Sequence, residues 1–268
     1  MKSLVEDAWK DNSLLSNKIT QNAIREVIKK LDDGEIRIAE KKNGLWIIND
    51  WIKKAIVLYF PIQKMKSIEV GPFEFHDKIP LKNKFVDKNI RVVPNAIVRY
   101  GAFVAGGTIL MPSYTNIGAY IDSGTMIDTW ATVGSCAQIG RNVHVSGGVG
   151  IGGVLEPIQA SPVIIEDDVF IGSRCVIVEG IRVEKEAVLG ANVVLTASTK
   201  IVDVTGDEPS EKKGVIPSGA VVIPGSYEKK FKAGKYSVPC ALIIGKRKES
   251  TDKKTSLNNA LRLNNIEI

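Results

Sequence analysis

The chain has 268 residues, 36 Lys and Arg against 30 Asp and Glu, a net charge of +6 and 44% hydrophobic content. This composition excludes wholesale disorder and a fibrous chain, and no run of about 18 apolar residues is present to span a membrane as a helix. Two histidines exclude a metal centre built on three imidazoles of one chain, and Cys136, Cys175 and Cys240 lack the spacing of a zinc site, so no metal is expected.

The opening MKSLVEDAWKDN places acids and amides where a secretory leader needs an apolar stretch, which predicts a cytoplasmic protein with reduced thiols. The mild positive charge suits anionic small molecules as partners, with neither nucleic acid nor membrane expected. Within Asn22 to Asp32, Ile24, Val27, Ile28 and Leu31 recur at helical spacing, and Asp33-Gly34 ends that helix. Ile36 to Glu40 alternates like a strand, with Asn43-Gly44 as a hairpin turn. Asp50 is expected to cap a second helix through Phe60, which Pro61 stops. Residues 1–90 therefore read as a small α-rich domain without a catalytic motif.

From Ile97 to Ile165 the only charged residues are Arg99, Asp122, Asp128, Arg141 and Glu156. Every sixth residue from Ile97 to Ile151 is large and apolar except Thr115, and a second phase runs through Ile165, Ile171, Ile177, Val183, Leu189, Leu195 and Ile201. The residue four places on is often small, as in Gly101, Gly107, Ala119, Ala131 and Ala137. A helix would spiral such positions around its surface. A period of six instead fits a parallel β-helix of hexapeptides, three to a triangular coil, with the apolar residue inward and the small residue at a bend. The fold class predicted is mainly β: a left-handed parallel β-helix over residues 91–226 with loop excursions near 152–163 and 203–214. Residues 227–268 follow as a short α/β tail, with strands at Lys235 to Val238 and Ala241 to Ile244 and a helix at Leu257 to Leu263.

Flat outer faces confine chemistry to clefts between loops or subunits. Such solenoids commonly transfer acyl groups from coenzyme A and commonly form trimers, an analogy at the level of the fold. A zinc carbonic anhydrase on this scaffold is excluded, because only His144 lies in the repeats. Asp122 and Asp128 follow inward residues of successive hexapeptides. Either carboxylate can simply accept turn amides. Asp128, with Thr129 and Trp130 beside it, can also line a pocket and take a proton from an attacking amine. His144 is the alternative base.

The runs Met111-Pro112-Ser113-Tyr114, Asn116 to Tyr120, Gly124 to Gly140 and Ser146 to Pro157 resemble the tetrahydrodipicolinate N-succinyltransferase family, as do the N-terminal helices and Arg91-Val92-Val93-Pro94. The resemblance implies transfer of a succinyl group from succinyl-CoA to tetrahydrodipicolinate in lysine and diaminopimelate synthesis. It implies succinyl-CoA as co-substrate, no permanently bound cofactor, and a homotrimer with sites between subunits. Substrate contacts of the family fall on Arg91 and Asp128, with Asp128 orienting or deprotonating the amine. The coils around Gly172-Ser173 and Gly190-Ala191 are where pantetheine would run, and Lys200 and Lys235 are candidates for the CoA phosphates. Val176 departs from the family, where many relatives carry Glu. Acetyl-CoA as donor, and a solenoid that binds ligand without turnover, stay open as alternatives.

Overall fold

The structure, a computed structural model, describes residues 1–247, so the helix expected over 257–263 lies outside the described residues. Helix α1 (Lys2–Lys10) buries Val5 and Ala8, too short an apolar pattern to be read from the sequence. Helix α2 (Lys18–Asp33) begins four residues ahead of the expected Asn22, because Asn17 caps it through a 2.8 Å bond from the Ile19 N–H. Gly34 closes it in the left-handed region, with φ +76°. The following strand starts at Ala39 rather than Ile36, since the Glu35 and Ile36 N–H groups are still directed at the Lys30 carbonyl. Strands β1 (Ala39–Lys42) and β2 (Leu45–Ile48) pair antiparallel around Asn43-Gly44, both at positive φ as a primed turn requires. In helix α3 (Asp50–Tyr59) Asn49 holds the N-cap position without a capping side-chain bond, its Nδ2 donating instead to the Arg37 carbonyl at 3.0 Å. Asp50 is the first helical residue, where its charge complements the helix dipole. A hairpin of β3 (Lys66–Val70) and β4 (Phe73–Asp77), absent from the sequence reading, precedes the coils.

From Arg91 the chain winds into two-residue parallel strands arranged on three faces. Together with the hexapeptide repeat this is the left-handed parallel β-helix. Face one holds Arg91–Val92, Ile109–Leu110, Met126–Ile127, His144–Val145, Phe170–Ile171 and Val188–Leu189. Face two runs from Ile97–Val98 to Val194–Leu195, and face three from Phe103–Val104 to Val215–Ile216. The second residue of each strand points inward: Ile121, Ile127, Val133, Ile139 and Val145 are fully buried. Burying each such side chain contributes about 1.5–3 kcal/mol.

The corners between faces are four residues long, and the third takes positive φ: Asn95, Gly101, Gly107, Gly118, Gly124, Trp130, Cys136, Asn142 and Gly148 in turn. The fourth, such as Ala119, Ala131 or Ala137, is small and buried inside the bend. One corner differs. Met111-Pro112-Ser113 has three residues and none at positive φ, since the proline ring fixes φ near −65°. The expected register is therefore one residue off before that corner: Val98, Val104 and Leu110 point inward, not Ile97, Phe103 and Ile109. After it, Thr115 occupies an inward position, fully buried, and its hydroxyl has no hydrogen-bond partner among the described residues.

Residues 152–163 leave the coils between Gly150–Ile151 and Ile164–Ile165. The segment expected as a polar loop at 203–214 instead contains an antiparallel pairing of Ile201–Asp203 with Ser210–Lys212. The last coil passes into one long strand, Ala220–Phe231, which crosses the expected division at 226/227 without a break. Its antiparallel partner Gly234–Lys246 is a single strand where two short ones were expected, because the pairing runs on to Phe231↔Gly234 at the tip.

Two cores result, one of inward coil residues and one of the helices. Ile117 and Cys136 belong to the second, so the helices pack on the corner between faces two and three. Gly118 permits that approach: a Cβ there would lie 2.7 Å from Ile56 Cδ1. Burial pushes the Cys136 thiol up to about 12.

Candidate functional site at the corner between faces one and two

Successive coils stack Asp128, Ser146, Gly172 and Gly190 in one column along this corner. The N–H of each donates to the coil above, to Val145, Ile171, Leu189 and Val222 at 2.7–3.1 Å. The coil spacing puts Asp128 about 10 Å from Gly172 and about 14 Å from Gly190. In the adjoining column stand Thr129, Gly147, Ser173 and Ala191. Among the described residues the N–H groups of Gly147, Ser173 and Ala191 have no acceptor. The corner thus carries a line of free backbone donors, about 5 Å apart, starting one coil above Asp128. The glycines have packing reasons of their own, since a Cβ on Gly172 would lie 2.6 Å from the Ala191 nitrogen.

Asp128 is half-buried. Its Oδ1 accepts the Thr129 N–H at 2.7 Å and the Thr129 hydroxyl at 3.2 Å, so the turn-capping role is real. Its Oδ2 has no hydrogen bond or ion pair among the described residues, and remains available for chemistry. Trp130 sits beside it with φ +60° and 68% exposure. A bulky residue in the left-handed region is strained. One coil above, Gly148 fills the same place without that strain, at φ +68°. Arg174, one coil above Gly148, shares that conformation at φ +62°, so what distinguishes Trp130 is its exposed indole beside Asp128.

The other candidates fall elsewhere. Arg91 is exposed on the first strand of face one, in register with Ile109 and Met126. Its backbone lies roughly 12 Å from that of Asp128, so the two are on one side of the solenoid without touching. Asp122 lies at a different corner, with Oδ1 accepting the Ser123 N–H at 2.7 Å. His144 stacks on Phe170, with ring centroids 5.1 Å apart. Val176 is 38% exposed on face two. Lys200 pairs with Glu211 at 2.8 Å and covers the Tyr227 ring. Lys235 pairs with Glu228 at the hairpin tip, opposite Lys230, about 26 Å along the strand from Val222. The structure brings Gly172, Ser173, Gly190 and Ala191 to the Asp128 corner; within one chain it does not bring Lys235 there.

Hexapeptide coils whose corner offers a carboxylate next to free amides are the framework of an acyl-transferring enzyme, and comparison with known proteins gives the particular kind. Residues 1–62 match the family profile described as Tetrahydrodipicolinate N-succinyltransferase N-terminal, and residues 162–197 the Hexapeptide repeat of succinyl-transferase. Proteins named 2,3,4,5-tetrahydropyridine-2,6-dicarboxylate N-succinyltransferase from Ralstonia nicotianae and Cupriavidus necator are 51% and 52% identical to it, over 98% of each chain. One from Legionella pneumophila is 50% identical over the same share. The chain belongs to the 2,3,4,5-tetrahydropyridine-2,6-dicarboxylate N-succinyltransferase family. A solved Campylobacter jejuni protein, described as a candidate 2,3,4,5-tetrahydropyridine-2-carboxylate N-succinyltransferase, shares the fold with a TM-score of 0.53 and 17% identity. That match covers 87% of this chain and 64% of the other, less than two thirds of its length.

Proposed function

We propose that this chain transfers the succinyl group of succinyl-CoA to the amine of the open 2-amino-6-oxopimelate form of tetrahydrodipicolinate, at the Asp128 corner. The observation that carries the site is the free Oδ2 of Asp128 at the foot of a line of unpaired amides. The amine nitrogen attacks the thioester carbonyl, forming the C–N bond while the C–S bond breaks. Asp128 accepts the proton the nitrogen sheds, and CoA leaves as the thiolate and is protonated to the free thiol. The Gly147, Ser173 and Ala191 N–H groups suit the amide carbonyls of pantetheine, a chain about as long as the column. Arg91, on the same side of the solenoid, suits a bidentate pair with a substrate carboxylate, across a gap that a seven-carbon dicarboxylate can bridge. Trp130 walls the pocket. In this reading the enzyme is a cytoplasmic homotrimer, its sites completed by a neighbouring copy. A reducing compartment suits its three buried free thiols.

Thiol release from succinyl-CoA, measured with and without the cyclic imine substrate, tests the reaction, with acetyl-CoA in parallel for donor choice. Release that depends on the imine and favours succinyl-CoA is expected. Asp128→Asn, which keeps Oδ1 for the Thr129 bonds, should lower turnover about 100-fold; near-normal turnover would remove Asp128 from the mechanism. Arg91→Ala should chiefly raise the substrate KM.

A further inference from the structure

A cleft of about 490 Å³ opens between the β1–β2 hairpin and the corner joining faces three and one. Arg37 enters it from the segment between α2 and β1. Its guanidinium lies 3.7 Å from the Tyr120 ring centroid, and its Nε donates to Gln138 Oε1 at 3.0 Å. Gln138 is fully buried and fixed in turn by its Nε2, which donates to the Cys136 carbonyl at 2.9 Å. Arg37 is therefore pre-oriented, and its two terminal amino groups have no acceptor among the described residues. Burial lowers the guanidinium pKa, and the charges of Asp122 and Asp167 oppose that shift from within the cleft.

The carboxylates facing the cleft differ in how far they are already committed. Glu166 is fully engaged: Oε1 accepts from Lys41 and Trp46 at 2.8 Å, and Oε2 from the Lys185 N–H at 3.2 Å. Asp122 is not. Its Oδ1 accepts the Ser123 N–H, and its Oδ2 makes only a loose ion pair, 3.6 Å from the Nε of the exposed Arg141 side chain, with no hydrogen bond to it. Arg37 and Asp122 form no ion pair with each other, although Asp122 follows by two residues the tyrosine on which Arg37 lies. One cleft thus holds a rigid cation with free donors and a carboxylate with one oxygen outside any hydrogen bond, kept apart, with the Trp46 ring as an apolar wall.

We propose that this cleft binds a zwitterionic α-amino acid, its carboxylate forked on Arg37 and its ammonium group on Asp122. Each charge alone would find half a site. The bound molecule would link the helical domain to the coils, since Arg37 belongs to one and Asp122 to the other. The site lies at a different corner from Asp128 and needs neither CoA nor turnover.

The test is calorimetric titration of the full chain with L-leucine, L-glutamate and L-lysine to about 10 mM, a range that detects millimolar binding. Butyrate and butylamine serve as single-charge controls. At least one amino acid should bind and raise the melting temperature, with both controls silent. Arg37→Met should abolish binding. Asp122→Asn, which retains the Ser123 bond and so preserves the turn, should weaken it about tenfold or more. The proposal is overturned if no amino acid binds, if butyrate or butylamine binds as well as the amino acids do, or if Asp122→Asn binds with unchanged affinity. Because no acyl donor is present, these outcomes are independent of the succinyl-transfer assay.

Discussion

The coils and the helical domain bury their side chains by different means. Along the coils each hexapeptide except the one at Thr115 contributes one aliphatic residue to a continuous core, and among the described residues no charged side chain is buried there. In the helical domain Lys53 is fully buried, its Nζ donating to the carbonyls of Ile158 and Ala160 at 2.7 Å and of Pro157 at 3.4 Å. Lys82 is nearly as buried and pairs with Asp32 at 2.7 Å. The repeat shares its stability among many equivalent positions. The helical domain adds to its apolar packing on Ile117 and Cys136 a few polar cross-links: Lys53 to the 152–163 excursion, and Lys41 and Trp46 to Glu166.

Four substitutions bear on that contrast. Ile139→Ala should cost about 3 kcal/mol, the scale for emptying a close-packed position, measured by urea unfolding. Another fully buried coil position such as Ile127 should give the same within the usual scatter; a large disparity would break the equivalence of the coils. Lys53→Met should cost about 2 kcal/mol, because carbonyls bound to a charged donor lose it. Hydrogen exchange should then show the loss confined to α3 and residues 157–160, leaving the coils protected.

Glu166→Gln should cost about 1 kcal/mol and change the response to acid. Burial raises the Glu166 pKa, but hydrogen bonds from Lys41 and Trp46 outweigh it and hold the carboxyl below its usual 4.5. Its contribution is therefore present above pH 4.5 and is lost as pH falls through the lower folded value. In the Gln variant that part of the acid sensitivity should vanish from stability measured against pH. Thr115→Val has the opposite sign. Removing a buried hydroxyl without a partner, at nearly constant volume, should raise stability by about 0.5–1 kcal/mol in the same urea assay.

The coils were legible because one inward residue recurs at a fixed interval, and a repeat averages out local exceptions. The error of one residue from Ile97 to Ile109 arose where a proline corner shortened a coil, a change that only the backbone conformation at Pro112 reveals. The helices at Lys18 and Asp50 were legible, the first by its apolar spacing and the second by Asp50 and Pro61; the first starts earlier than read, behind the cap Asn17, and Asn49, not Asp50, holds the second N-cap position. Asp128 stood out as an isolated carboxylate in a nearly uncharged stretch. The free N–H groups of Gly147, Ser173 and Ala191 carry no side-chain signature at all. Arg37 and Gln138 are 101 positions apart, and no local pattern announces that they meet.

The three-residue corner at Met111-Pro112-Ser113 also bears on how the stack finds its alignment. In a perfect hexapeptide repeat, sliding one part of the stack past another by a whole coil would present similar side chains to similar partners, and slipped states would lie close in energy. Here the short corner shifts the phase by one residue, so a slipped stack would turn Phe103 or Ile109 inward where Val104 or Leu110 belongs. The excursion at 152–163 interrupts the count a second time. These irregularities, with a third where the chain leaves the coils between Leu195 and Val215, act as index marks on an otherwise uniform ruler, leaving one alignment in which every coil meets its proper neighbour.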